Sequence, residues 1–155
     1  MAVLHLMVGL PCSGKTTYAR RLAATANALL LTPDAWYLKL FDNDAGHPDH
    51  DRKHSQIEAI MLDVARQALM LGCNVILDFG FWAVQEREAL RHMALSLGAQ
   101  CRLHYMDVPI DELYRRLDEC NRLQPEGTFY IPTTEMDAYI RVFQPPTPEE
   151  LARFR

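Results

Sequence analysis

The chain has 155 residues, of which 49% are hydrophobic and 23% are charged. At roughly 100 to 200 residues per domain, this length predicts a single domain over residues 1–155, and the apolar fraction excludes an intrinsically disordered chain. Sixteen Lys and Arg against twenty Asp and Glu leave a formal net charge of −4. The chain as a whole therefore does not attract polyanions, whereas dedicated nucleic-acid-binding proteins more often have a basic excess.

The cysteines and the apolar segments indicate a cytoplasmic protein. The four cysteines are widely spaced and form no C-x-x-C pair, which predicts reduced thiols rather than a disulfide framework or a zinc site. Residues 1–8 are apolar but lack the basic start and the cleavage site of a signal peptide, so we interpret them as a strand. No other apolar run reaches about 18 residues, so we expect no membrane span.

The first part of the chain alternates strand and helix patterns. Residues 2–8 form an apolar run that predicts a strand, and the apolar spacing over residues 19–26 predicts a helix after it. Residues 28–31 predict a second strand. Thr32-Pro33-Asp34 then supplies an N-cap residue, a proline suited to the first turn and an acid at the positive end of a helix, which we expect to run to about Leu40.

The middle of the chain contains the most regular helix pattern. Residues 41–50 are polar and include a glycine and a proline, which predicts a loop. The apolar positions of residues 57–69 keep to one helical face, and Gly72 ends that helix. Residues 74–78 then predict a strand that ends in the carboxylate of Asp78.

The last part of the chain continues the alternation. Residues 101–106 predict a further strand, and helix patterns cover residues 90–97, 110–117 and 133–143. Residues 121–132 contain two prolines and a glycine and predict an exposed loop, while the prolines of residues 144–155 predict an extended tail packed on the surface. Alternating strands and helices are typical of a parallel sheet wrapped by helices, so we predict an α/β fold.

A phosphate-binding motif directly follows the first predicted strand. Gly9-Leu10-Pro11-Cys12-Ser13-Gly14-Lys15-Thr16 is a full match to the pattern G-x-x-x-x-G-K-[ST]. The glycines let the backbone wrap around a phosphate, while the inward-pointing N–H groups and the positive end of the next helix form an anion site. Lys15 can reach the outer phosphates and the Thr16 hydroxyl can ligate Mg²⁺. The order strand, loop, helix favours a nucleotide site, with Thr17 as its last residue, over a coincidental glycine turn.

The sequence resembles a family of small kinases. Met7 to Arg20, Thr32-Pro33-Asp34, Val75-Ile76-Leu77-Asp78 and the arginine-bearing helix over residues 115–122 are similar to the small P-loop kinases. These include polynucleotide kinase, chloramphenicol phosphotransferase and the zeta-toxin kinases, often grouped as AAA-family ATP-binding proteins. The resemblance implies a three-layer P-loop NTPase fold with a parallel five-stranded sheet and a small helical lid at about residues 115–132. It also implies ATP and Mg²⁺ as cofactors.

Two carboxylates are candidates for the chemistry. Asp34 and Asp78 both follow predicted strands, and the carboxyl ends of parallel strands meet at one edge of a sheet. One of them can orient the acceptor hydroxyl and take its proton, while the other holds Mg²⁺ directly or through water. The resemblance implies that Asp34 is the residue that activates the acceptor hydroxyl. Asp78 and Thr16 are then the candidate Mg²⁺ ligands. The alternatives are an acid that merely stabilises a helix N-terminus at Asp34 and a strand-end turn at Asp78.

Arginines of the predicted lid are candidates for contact with the transferring phosphate. Arg115, Arg116 and Arg122 lie near the end of one predicted helix and the start of the loop after it. Closure of such a lid can bring a guanidinium to the moving phosphoryl group. Similar kinases commonly carry an arginine where Cys120 stands here, so both Arg116 and Arg122 remain candidates. Arginine near a helix C-terminus is also favoured without any catalytic role.

Two further clusters have weaker interpretations. His47, His50 and His54 lack the partners of a zinc site at usual spacing and are more typical of a substrate-facing loop. Aromatic residues after the strands could line an acceptor pocket, although simple packing is the commoner role of such side chains. These are Trp36, Tyr37, Phe79, Phe81 and Trp82.

Together these patterns predict an ATP-dependent kinase that phosphorylates a hydroxyl group of a small molecule. One alternative is a kinase for a nucleic-acid 5′-hydroxyl, which the net charge disfavours without excluding. The other is a nucleotide-binding regulatory module or slow ATPase that acts through a partner protein. The sequence leaves the oligomeric state open between monomer and dimer.

Overall fold

A parallel four-stranded sheet forms the centre of the computed structural model, which describes residues 1–42 and 46–154. Its spatial order is β2-β3-β1-β4, and every pair of neighbours is parallel. The strands are β1 (Val3–Val8), β2 (Ala28–Leu31), β3 (Asn74–Gly80) and β4 (Gln100–Tyr105). In the central register, Leu4 lies beside Val75 of β3 and Cys101 of β4.

The number of strands corrects the predicted sheet. Each of the four strand-like apolar runs became a strand, but the described residues contain no fifth one, so the expectation of five strands was wrong. The physical reason is that the rest of the described chain is helical or lies in loops rich in proline and glycine, which leaves no further apolar run to pair with an edge.

Helices connect the strands and cover the sheet. Most begin or end within a few residues of the predicted positions, but the third begins at His50, well before the first apolar residue used to predict it. Residues 43–45 of the predicted loop lie outside the described residues. The helices are α1 (Lys15–Ala26), α2 (Pro33–Phe41), α3 (His50–Met70), α4 (Val84–Ser96), α5 (Ile110–Leu123), α6 (Thr133–Val142) and α7 (Pro148–Arg153).

The alternation of side chains along β1 separates the two faces of the sheet. Leu4, Leu6 and Val8 pack on one face with buried residues of α3 and α4. Met7 packs on the other face with Ala19 of α1. Helices on both faces of a parallel sheet give the predicted three-layer arrangement.

A separate apolar cluster joins the phosphate loop to α5 and α6. Leu10 of the loop packs with Leu113 and Leu117 of α5 and with Met136 of α6. The segment between these helices is closed by Asn121, whose amide donates to the Ile131 carbonyl at 2.7 Å and accepts from the Ile131 N–H at 3.1 Å. The predicted lid region is thus built on the same cluster that holds the loop.

The C-terminal segment is not the extended tail that its prolines predicted. Thr147 caps α7 by accepting a hydrogen bond from the Glu150 N–H at 3.1 Å. Pro148 stands in the first turn, where a proline costs no hydrogen bond. Glu150 and Phe154 are both buried, so the end of the described chain is part of the core, while Arg155 lies outside the described residues.

No helix within residues 1–42 and 46–154 is long and apolar enough to cross a bilayer. All four cysteines are free thiols.

Candidate functional site

The phosphate loop, residues 9–16, presents backbone N–H groups at the start of α1. Cys12 and Gly14 adopt left-handed backbone conformations, with φ of 67° and 89°, which turn the chain into the helix. Gly14 is the N-cap residue and offers no side chain to the first-turn N–H groups, one of which belongs to the exposed Thr17. Those donors therefore remain available to an anion. The Lys15 ammonium donates weakly to the Leu10 carbonyl at 3.5 Å, so its charge lies over the same loop.

The loop is held against the end of β3 by a close backbone approach. The Gly9 N–H donates to the Gly80 carbonyl at 3.1 Å, and the Trp82 indole donates to the Gly9 carbonyl at 3.2 Å. Gly80 has φ of 99°, and a Cβ there would lie 3.3 Å from the Gly9 carbonyl oxygen. A glycine at this position therefore lets the two segments meet. This contact could not be predicted from the sequence, because nothing local to residue 80 reveals it.

Asp78 lies beside the phosphate loop in a hydroxyl cage. Its Oδ2 accepts a hydrogen bond from Thr16 at 2.7 Å and another from Thr32 at 3.2 Å. Thr32 was predicted as a helix N-cap, but its side chain makes no cap hydrogen bond. The Thr32 hydroxyl donates to Asp78 instead, because β2 and β3 are neighbours and both end at this edge of the sheet.

The environment of Asp78 fits the predicted metal role. Burial raises the pKa of Asp78, while Lys15 and the two hydroxyl donors act in the opposite direction without reversing the shift. Its Oδ1 is buried and has no hydrogen-bond partner among the described residues. A buried carboxylate oxygen without a donor is costly, and a cation near it would remove that cost. The pair of Thr16 and Asp78 therefore suits Mg²⁺, which prefers a few oxygen ligands together with phosphates and water.

Asp34 lies in the first turn of α2 with more than half of its side chain exposed. Its Oδ1 is 2.8 Å from Nε2 of His54 on α3, and Nδ1 of the same imidazole is 3.1 Å from Oε1 of Glu58. Burial opposes protonation of His54, but the hydrogen bonds and charges of Asp34 and Glu58 outweigh it and raise its pKa to about 10. His54 is therefore an imidazolium between two carboxylates.

From the sequence, His54 was grouped with His47 and His50 as more typical of a substrate-facing loop than of a metal site, and its pairing with Asp34 and Glu58 was not predicted. The residues that the structure describes include no group of three or more His, Cys, Asp and Glu side chains able to hold a metal. The i, i+4 spacing of His54 and Glu58 on one helix was the signal that could have suggested their pairing.

Only one of the candidate arginines lies against the phosphate loop. Arg116 donates from Nη1 to the Cys12 carbonyl at 3.2 Å and from Nε to Glu112 at 3.0 Å. Arg115 is paired with Glu112 and Glu119 on the surface of α5. Arg122 is exposed and lines a separate shallow depression together with Arg115. The structure thus brings Arg116, and not Arg122, to the predicted site.

A cavity of about 730 Å³ opens beside the phosphate loop. Gly9, Pro11 and Lys15 line it on the loop side, and Asp34 lines it on the side of α2. Its aromatic lining consists of Phe79, Phe81, Trp82, Phe129 and Tyr139. Three of the five aromatic residues singled out in the sequence thus line the cavity, whereas Trp36 and the core residue Tyr37 do not.

Comparison with known proteins identifies the family and the fold. The sequence matches the family model described as AAA domain over residues 4–146. No curated relative matches the sequence significantly.

Among solved structures, the chain is similar to a chain of the Pnkp1/Rnl/Hen1 RNA repair complex, with a TM-score of 0.72 and 24% identity over 91% of this chain. It spans only 43% of that chain. Kti12 from Chaetomium thermophilum in complex with ADP-AlF3 matches with a TM-score of 0.71 and 19% identity, covering 94% of this chain and 82% of Kti12. A sugar kinase from Janibacter sp. HTCC2649 matches with a TM-score of 0.67 and 18% identity, covering 97% of this chain and 82% of the kinase. The protein belongs to the AAA domain family, and its fold is that of the P-loop kinases.

Proposed function

We propose that the protein is an ATP-dependent phosphotransferase that moves the γ-phosphoryl group of ATP to a hydroxyl group of a small molecule. The observation that carries this proposal is that one cavity is lined both by Lys15 of the phosphate loop and by the carboxylate of Asp34. Phosphoryl transfer needs a cationic cradle for the nucleotide and an acid that orients the acceptor, with room for both. The similarity to a sugar kinase and to an ADP-AlF3 complex supports the same conclusion.

The residues of the site divide the work of the transfer. Lys15 and the N–H groups of the loop hold the outer phosphates, and Arg116 offers a guanidinium to the equatorial oxygens as charge develops. Asp34 orients the acceptor hydroxyl. A bond forms between the acceptor oxygen and the γ-phosphorus, the bond to the bridging oxygen of ADP breaks, and the hydroxyl proton passes late to Asp34. Thr16 and Asp78 would hold Mg²⁺, which would neutralise part of the phosphate charge when bound.

The charge of the cavity favours a neutral or cationic acceptor over a polyanion. Lys15 is the one Lys or Arg among its described lining residues, and the Lys15 charge is taken by the nucleotide, while the imidazolium of His54 is already paired with Asp34 and Glu58. The negative charge of the cavity acts on its own titratable groups. Burial and the nearby Glu58 raise the pKa of Glu86, and burial together with Glu135 raises the pKa of Tyr139 to about 12. The carboxylates that line the cavity are Asp34, Asp51, Glu58, Glu86 and Glu135.

A nucleic-acid 5′-hydroxyl kinase is the second candidate, because one similar structure is a chain of an RNA repair complex. The acidic cavity opposes it, since the phosphates that flank a 5′-terminal nucleotide need cationic partners. The regulatory module or slow ATPase is the third, and it differs from both kinases because no acceptor stimulates its turnover.

The deciding experiment measures ADP release from MgATP across a panel of hydroxyl compounds. Suitable members are D-gluconate, D-glucose, chloramphenicol and an RNA oligonucleotide with a 5′-hydroxyl end. We expect a small molecule to stimulate release, Lys15→Ala to abolish ATP binding or turnover, and Asp34→Asn to retain ATP affinity while transfer falls. Asp63→Asn, an exposed residue of α3, is the matched control and should behave as the wild type.

Each alternative has its own outcome in this panel. Stimulation by the RNA alone would establish the nucleic-acid kinase. A low rate that no member of a widened panel changes, with tight ATP binding, would establish the module. Unchanged ATP affinity and turnover in Lys15→Ala would contradict the assignment of the phosphate loop itself.

A further inference from the structure

The pair formed by His54 and Glu58 lies next to the acceptor-facing carboxylate and has no part in the transfer as described above. His54 bonds to Asp34 at 2.8 Å and to Glu58 at 3.1 Å, so the three side chains form a chain from α2 to α3. All three line the cavity that holds Lys15. The arrangement is therefore inside the proposed site and not on a remote surface.

We propose that His54, held by Glu58, is a positioning residue that fixes the carboxylate of Asp34 for the acceptor hydroxyl. This inference rests on the proposed phosphotransfer and concerns the residues that position the carboxylate facing the acceptor. Asp34 is 56% exposed, and an exposed aspartate samples several rotamers. The bond from Nε2 to Oδ1 selects one of them, and it leaves Oδ2 outside that bond.

The orientation of the imidazole is itself determined by packing. The His54 ring lies 5.8 Å from the ring of His50 in a stacked arrangement and 6.1 Å from the ring of Tyr37. Tyr37 is fully buried in α2, so the contact between α2 and α3 fixes the position of His54. Glu58 accepts from the opposite side of the ring and thereby determines which nitrogen faces Asp34.

The charge of His54 also matters for its action on Asp34. A neutral imidazole has a single N–H and cannot donate to both carboxylates, whereas an imidazolium can. The titratable groups around it are Asp34 and Tyr37 from α2 and His50 and Glu58 from α3. The two carboxylates favour the doubly protonated ring, which agrees with the pKa of about 10.

The first test compares kcat and KM for the panel compound that stimulates ADP release most. His54→Ala should lower kcat about 10- to 100-fold, the range that misplacement of a reacting group produces, while the KM for ATP stays unchanged. In an Asp34→Asn background the same change should cost less than about 2-fold, because coupled residues do not act additively. Glu58→Gln should give an intermediate loss, and Gln56→Ala, on an exposed part of α3, should give none.

The second test observes the ring nitrogens of His54 by ¹⁵N NMR at pH 8. Two ring protons in the wild type, and a single one in Asp34→Asn with Glu58→Gln, are the expected results, and circular dichroism reports whether each variant is folded.

A full kcat in His54→Ala, an equal loss in both backgrounds, or a singly protonated ring in the wild type would overturn the positioning role. If no panel compound stimulates ADP release by the wild type, the phosphotransfer proposal fails and the positioning role fails with it. If a compound stimulates the wild type and His54→Ala equally, only the positioning role fails.

Discussion

Replacing Glu150 with glutamine removes the negative charge that faces Arg87 inside the protein. The guanidinium of Arg87 binds the carboxylate through two contacts, Nε to Oε1 at 2.6 Å and Nη2 to Oε2 at 2.9 Å. The side chains are 0% and 3% exposed. Arg87 also donates to the Phe81 carbonyl at 2.8 Å, so the pair ties α7 and α4 to the segment that lines the cavity.

The expected cost follows from leaving one buried charge without its partner. Removing one member of a buried ion pair costs about 3–5 kcal/mol. Glutamine keeps the size of the side chain and can still accept one hydrogen bond, so we expect about 3 kcal/mol, the low end of that range. For a protein of this length, each kcal/mol shifts Tm by roughly 2–4 °C, so Tm should fall by roughly 6–12 °C.

Urea and thermal unfolding followed by circular dichroism measure this effect. Glu149→Gln is the matched control, since Glu149 is exposed on the same turn of α7, and it should change the free energy of unfolding by less than about 0.5 kcal/mol. Replacing both partners, Arg87→Met with Glu150→Leu, should recover most of the loss because no unpaired charge remains. If the free energy of unfolding of Glu150→Gln lies within about 0.5 kcal/mol of the wild-type value, the reasoning is refuted.

Three further predictions address the loop, the metal and the sheet. Gly80→Ala and Gly98→Ala both place alanine at positive φ, but only position 80 meets the phosphate loop. Both variants should lose about 1–3 kcal/mol of stability. Only Gly80→Ala should weaken ATP binding measured by calorimetry. Asp78→Asn should raise the Mg²⁺ concentration needed for ATP turnover by about 10-fold or more, and an unchanged Mg²⁺ titration would remove Asp78 from the metal site. Burial, with His104 and Arg102, lowers the pKa of His5 from 6.5 to about 4, so the unfolded chain takes up a proton first and stability should fall as pH drops from about 6.5 to 4, by at most about 3 kcal/mol. His5→Gln should flatten this slope in urea unfolding, whereas His92→Gln, at an exposed residue, should keep it.

Features that depend only on neighbouring residues could be predicted from the sequence. The phosphate loop is contiguous, so residues 9–16 carry both its glycines and its lysine. The apolar runs and helical spacings likewise predicted the strands and helices of the three layers from neighbouring residues. The local signal misled in residues 144–154, where the prolines predicted an extended tail, whereas the structure has Thr147 capping α7 and Pro148 in its first turn. The predicted fifth strand failed because no local pattern supported it.

Pairings between side chains that are distant in the sequence depend on the tertiary fold and could not be predicted. Thr32 bonds to Asp78 because β2 and β3 are neighbours in the sheet. His54 reaches Asp34 because α2 packs on α3, and Arg116 reaches the phosphate loop because the apolar cluster around Leu10 fixes α5 beside it. A residue's type and its local spacing do not specify such pairings, because they depend on the order of the strands and on how the helices pack across the sheet.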